Sequence, residues 1–146
     1  MTALVVGIGH PFRRDDGIGP AVAEAVAAKA LPGVTVLVHH GEGTDLMARW
    51  PGFDRVVVVD ATQPAGSPGQ IRQWDCAEPL PARLFPKGSH QFGLAEAVEM
   101  ARLLGQLPPV LTVIGVEGED FSAGRGLSPA VDQALPAAAA LVAGMV

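Results

Sequence analysis

The sequence predicts an α/β fold, a mostly parallel sheet with helices on both faces, and three observations predict it. Short apolar runs rich in β-branched residues recur along the chain, each bounded by Gly, Pro or Asp. Segments with apolar residues at helical spacing alternate with them, which is the pattern of a sheet built by crossover connections. One of the runs contains four consecutive valines, Val56 to Val59. In an antiparallel hairpin that run would leave one face wet, whereas a central parallel strand packs on both.

In chain order, the predicted strands are "ALVV" (3–6), "VTVLV" (34–38), "RVVVVD" (55–60) and "VLTVIGV" (110–116), with a weaker one at "QIRQW" (70–74). The predicted helices are "PAVAEAVAAKA" (20–30), "TDLMARW" (44–50), "FGLAEAVEMARLLG" (92–105) and "SPAVDQALPAAAALVAG" (128–144). The stretch 61–89 is looser, with five prolines. No repeat, low-complexity tract or linker divides the 146 residues, and 49% apolar composition suffices for the core of one domain spanning 1–146.

Composition excludes several classes. With a net charge of −5 and no block of like charges, the chain lacks the footprint of a nucleic-acid binder. The single cysteine, Cys76, can form neither an internal disulfide nor a thiol-rich metal site; it reads as a small buried filler, and its use fits a reducing cytoplasm. The amino-terminal stretch has no basic n-region, and Pro136 interrupts the Ala-rich tail, so neither export nor membrane insertion is expected. No G-x-S-x-G elbow surrounds any serine, which argues against a serine hydrolase.

The chemistry concentrates in "GIGHPFRRDDGIGP", residues 7–20. A glycine-rich turn after a first strand suggests a phosphate cradle, yet the third glycine of a dinucleotide fingerprint is missing and Asp15 and Asp16 would repel the phosphate. One of the two acids is expected to cap a helix or pair with Arg13 or Arg14, while the other points into the crevice beyond the strand ends. Asp60, at the carboxyl end of the third strand run, should open onto the same rim. Ser89 or His90 would stand at a helix start there, and at most one of His39 and His40 can reach it, because neighbours on a strand face opposite ways. Two carboxylates and an imidazole on one rim suit a transition metal with open coordination positions.

Four stretches in this order, "VVGIGHPFRRDDGIGP" (5–20), "VVVVDA" (56–61), "SHQFGLAEAV" (89–98) and "VIGVEGEDFSAGRGLSPAV" (113–131), give a resemblance over nearly the whole chain. The sequence resembles the hydrogenase maturation proteases, which trim the C-terminal extension from the large subunit of nickel–iron hydrogenases. The resemblance implies a three-layer α/β/α sandwich with a mainly parallel, twisted five-stranded sheet. It implies catalytic and metal-contacting roles for Asp16, Asp60 and His90, with Asp15 left to hold the loop or cap the following helix. It further implies that nickel arrives with the precursor, the partner protein, and that the protease works as a monomer in the cytoplasm with no nucleic acid and no membrane. Whether the metal or an aspartate activates water stays open, and a non-catalytic nickel- or precursor-binding maturation chaperone of the same fold is the alternative.

The sequence departs from the family pattern twice. His10 stands where the family commonly has Asn, and its ring is expected to donate a hydrogen bond to Asp16 or Asp60. After the second strand, an Asp-Gly-Gly-Thr-like stretch is replaced by "HHGEGTDL" (39–46), a difference that bears on substrate choice rather than fold.

Overall fold

The computed structural model describes residues 2–85 and 90–146. Five strands, β1 (Ala3–Ile8), β2 (Val34–His39), β3 (Arg55–Thr62), β4 (Ile71–Asp75) and β5 (Val110–Glu117), form one sheet in the order β2-β1-β3-β5-β4. The first four in that order run parallel, and β4 closes the edge antiparallel to β5. The helices are α1 (Ile18–Ala27), α2 (Gly43–Arg49), α3 (Leu94–Leu103) and α4 (Pro129–Met145).

The valine run behaves as its composition demands. Val56 and Val58 pack on one side with Leu4, Val6, Leu46, Trp50 and Val98, in the layer covered by α2 and α3. Val57 and Val59 pack on the other with Val5, Val22, Val26, Ile114 and Val142, under α1 and α4. Alternate side chains of a strand face opposite ways, so each valine buries its methyls in one of two separate cores, each side chain worth about 1.5–3 kcal/mol. The predicted three-layer α/β/α arrangement is the observed one.

Element boundaries differ at the ends that matter. The third strand continues two residues past Asp60 to Thr62, through the start of the stretch expected to be loose. Helix α3 begins at Leu94, where the Glu96 carboxylate accepts the Gly93 N–H at 2.9 Å, so His90 precedes the helix, across a bend at Gln91 and Phe92, instead of starting it. Ser89 lies outside the described residues. Pro136 is accommodated inside α4, at the loss of one backbone hydrogen bond, and does not end it. Among the described residues no helix is long and apolar enough to cross a membrane.

Close backbone approach positions the first loop. Gly9 has φ +148°, and a Cβ there would collide with the carbonyl oxygen of Asp16. A Cβ on Gly19 would strike the Ile8 carbonyl. The glycines therefore let the chain turn back on the end of β1 and set the start of α1 directly against the sheet.

Candidate active site at the carboxyl rim of the sheet

Between β1 and α1 the chain makes a short 3₁₀ turn, Arg14–Gly17, that carries both aspartates and sends them in different directions. Asp15 is fully buried and accepts four hydrogen bonds: from the Glu119 and Asp120 amides at 2.8 and 2.9 Å, and from the Ser128 amide and hydroxyl at 2.7 and 2.8 Å. It ties this turn to the β5–α4 loop and to the residue that starts α4. Its following helix α1 has Gly17 at its cap, so of the two roles expected for Asp15 the structure gives it the holding of loops. Backbone bonds from Arg14 to Gly124, Asp15 to Asp120 and Gly124 to Phe12 complete the link between the two loops. Arg14 adds an exposed ion pair with Asp120 at 3.7 Å and holds φ +46°, a left-handed conformation stabilised by its position in this loop-to-loop contact.

Asp16 turns toward the crevice. Its Oδ2 accepts the backbone N–H of His10 at 2.7 Å. The His10 ring makes no such bond; it lies edge-on to Phe12 at 6.1 Å, so the hydrogen bond expected from the imidazole is made by the amide of the same residue. That amide needs no particular side chain at position 10. Burial raises the Asp16 pKa, against the opposing influence of the His10 amide bond and the nearby Arg13 and His10 charges.

Asp60 lies at the end of the sheet opposite Gly115 of β5 and is 2% exposed. By the two-residue period it points to the same face as Val56 and Val58, the face covered by α2 and α3. Its pKa is raised well above the usual carboxylate value, first by burial and then by the negative charge of Asp16, with an Ala61 backbone bond acting the other way. Two acids whose ionisation is disfavoured by burial, the deep one also by the charge of the one at the edge, form an acid–base pair or a receptor for a cation that would relieve both.

The segments leading into α2 and α3 meet on this face. His90 is half-buried, and its ring centroid lies 5.5 Å from that of His40. His40 in turn stacks on His39 at 4.3 Å. His39 is buried, with Nδ1 accepting the Gly41 amide at 2.8 Å and Nε2 bonded to Asp45 at 2.6 Å; burial holds its pKa below the usual value. Asp45 also receives Arg49 at 3.2 Å, and Glu42 caps α2 by accepting the Thr44 and Asp45 amides at 2.6 and 3.2 Å. Neither Glu42 nor Asp45 stands out in the sequence, although two acids at the start of a helix are the signal of a cap. Of the two histidines, the buried one is committed to the fold and the exposed one faces the rim.

The structure thus places Asp16 within electrostatic reach of Asp60 and sets His90 beside His40. Among the described residues, the three whose ligand atoms lie within 4.8 Å of one another are His39, His40 and Asp45; Asp16, Asp60 and His90 stand further apart than that. Cys76 is buried, its thiol pushed up to about 12 by burial, and it takes no part in the rim. An apolar cleft of about 440 Å³ lined by Trp50, Phe53, Leu107 and Pro109 opens at the opposite end of the sheet, before β3 and β5, and no titratable side chain lines it.

Fold and rim together define an α/β protein with a crevice organised around two facing acids. Residues 20–145 match the family described as hydrogenase maturation protease, HycI. The chain is 31% identical over 136 residues to the hydrogenase 2 maturation protease of Escherichia coli (strain K12), covering 90% of this chain and 82% of that protein. It is 34% identical over 138 residues to the hydrogenase expression/formation protein HupD of Bradyrhizobium diazoefficiens, covering 91% and 72%. Among solved structures it is similar to the hydrogenase maturating endopeptidase HybD from E. coli, with a TM-score of 0.81 at 27% identity over 99% of this chain and 91% of that one. The chain belongs to the hydrogenase maturation protease family.

Proposed function

We propose that this protein is an endopeptidase that removes the C-terminal extension from the large-subunit precursor of a nickel–iron hydrogenase once nickel has been inserted. Family membership supports the reaction, and the observation that carries the site is the buried Asp60 carboxyl within electrostatic reach of Asp16 at the carboxyl rim. The reading takes the whole chain as one domain, a monomer acting in the cytoplasm on a protein partner, without nucleic acid or membrane.

In this reading Asp16, Asp60 and His90 receive the nickel carried by the precursor. The donor set suits a borderline divalent ion: two carboxylate oxygens and one imidazole nitrogen, with positions left for substrate groups and water. A dication at the rim would remove the cost of ionising both acids, since each pKa is raised by burial and that of Asp60 also by its neighbour's charge. His90 stands ahead of α3, on a segment separate from both acids, and in this reading the docking of the precursor brings the three groups to one ion. Bound there, the ion supplies Lewis-acid polarisation of the scissile carbonyl. Asp60, dry and fixed in the sheet, holds the ion; Asp16, nearer solvent, takes the proton of the attacking water and returns it to the leaving amine. Three groups on separate segments would hold the ion only loosely, which suits an ion that belongs to the precursor.

The test is intact-mass spectrometry of nickel-loaded and nickel-free precursor incubated with the pure protein. The loaded precursor should lose one C-terminal peptide in a single cut, and the nickel-free precursor and free junction peptides should survive. Binding of loaded precursor with no cut would mark a chaperone of the same fold. Equal cutting of the nickel-free form would overturn nickel as the recognition signal.

A further inference from the structure

The end of β2 and the loop that follows it place two consecutive histidines with the same local bond. The Gly41 amide donates to Nδ1 of His39 at 2.8 Å, and the Glu42 amide donates to Nδ1 of His40 at 3.2 Å. A ring nitrogen that accepts an N–H has no proton of its own, so each neutral imidazole must carry its proton on Nε2. For His39 that proton goes to Asp45, which Arg49 fixes in turn. For His40 no protein partner meets Nε2 among the described residues, and the side chain is exposed. Its ring is nevertheless held in place, stacked at 4.3 Å and 29° on the fixed His39 ring and flanked by His90 at 5.5 Å.

The same bonds disqualify the one compact ligand-like cluster. Spacing alone would let His39, His40 and Asp45 hold an ion. A neutral imidazole bound to metal through Nε2 carries its proton on Nδ1, where it would point at the Gly41 N–H for His39 and at the Glu42 N–H for His40. The cluster is therefore built to donate N–H groups, one spent internally on Asp45 and one directed outward.

We propose that His40 is a substrate-positioning residue whose fixed Nε2–H donates a hydrogen bond to a backbone carbonyl of the precursor segment lying across the rim beside His90. This rests on the processing function proposed above and adds the residue that aligns the chain to be cut. A fixed N–H donor selects an oxygen acceptor, and an extended polypeptide presents one at every residue. The position favours such a ligand, because β2 is an outer strand of the sheet and ends at His39, so a chain running along that open edge arrives at His40. His39 and Asp45 act through His40, as the platform that sets its ring.

Two variants and one spectrum test this. His40→Leu should raise KM for nickel-loaded precursor about 10-fold with kcat nearly unchanged, the loss of one neutral hydrogen bond made to bound substrate. His40→Gln, whose amide nitrogen reaches the place of Nε2, should restore KM to within about 3-fold of the parent. Nitrogen-15 spectra of the imidazoles in the free protein should show protonated Nε2 and unprotonated Nδ1 on both His39 and His40, and added Zn²⁺ should leave the His39 signals unchanged. An unchanged KM in His40→Leu, or a proton on Nδ1 of His40, would overturn the proposal. If the parent protein leaves loaded precursor uncut, that result counts against the processing function alone; His40 is then judged by precursor affinity, and equal dissociation constants for parent and His40→Leu would overturn it.

Discussion

Two neighbouring regions handle buried acid in opposite ways. In the joint between the first loop and the β5–α4 loop, Asp15 is enclosed by three amides and a hydroxyl that all donate to it. At the crevice, Asp60 is as deeply buried, but its main electrostatic neighbour is another acid. Folding alone explains the first arrangement, since every donor in the joint is satisfied and the carboxylate organises two loops. Folding does not explain the second, which stores unfavourable charge at the rim where the family's chemistry is expected. A carboxylate enclosed by four donors is architecture; one with a backbone bond from Ala61 and an acid for a neighbour awaits a cation or a proton.

The largest expected effect breaks the crevice side of this contrast. Asp60→Asn should reduce processing of loaded precursor by at least about 100-fold and at the same time raise thermal stability by about 1 kcal/mol, because the amide removes a buried charge without changing shape. Asp16→Asn and His90→Ala should lose processing comparably with little change in Tm. Measured cleavage rates and melting curves check both halves; a less stable Asp60→Asn would mean that Asp60 is a satisfied structural acid like Asp15.

Asp15→Ala should do the reverse. Its removal strands the Glu119, Asp120 and Ser128 amides in a buried joint, at a cost of about 3 kcal/mol, or about 10 °C in Tm for a chain of this size. Residual activity, measured well below the lowered Tm, should stay within about 10-fold of the parent, because no atom of Asp15 faces the crevice.

A smaller effect separates the acids by pH. With its folded pKa raised above the ordinary 3.8, Asp60 favours the folded state most when protonated. Below 3.8 both folded and unfolded chains carry the proton, and the parent and Asp60→Asn should differ least. As pH rises through that value the unfolded chain ionises first, so the parent loses stability relative to the variant until the folded pKa is passed, after which the gap is constant. Chemical denaturation of both proteins across this range measures the gap; a gap that narrows with rising pH would reverse the sign assigned to Asp60.

The contrast also marks what the sequence made legible. The five strands and four α-helices of the described residues were visible, since the valine run and the helical spacings report burial directly, and the rim followed from the rule that ligands meet parallel strands at their carboxyl ends. The opposite fates of Asp15 and Asp16 were legible only as alternatives. Their partners, Ser128 and the Asp120 amide on one side and the His10 amide on the other, come from backbone geometry or from residues more than a hundred positions away. The His39–Asp45 pair escaped notice for a related reason: two residues six apart meet because a strand ends and a helix begins between them, which no periodicity encodes.

The smallest expected effect concerns His10, which sits between the two regions. In the structure its amide serves Asp16, while its ring leans on Phe12, itself covered by Arg125 at 4.3 Å. The residue common in the family at this position is Asn, whose backbone donates the same bond. His10→Asn should therefore keep processing within about 3-fold and shift Tm by no more than about 2 °C, the range of an exposed substitution. Cleavage rates of loaded precursor and melting curves of the two proteins measure both quantities. A loss of processing as complete as that of His90→Ala would move the His10 imidazole from the edge of the crevice into its chemistry.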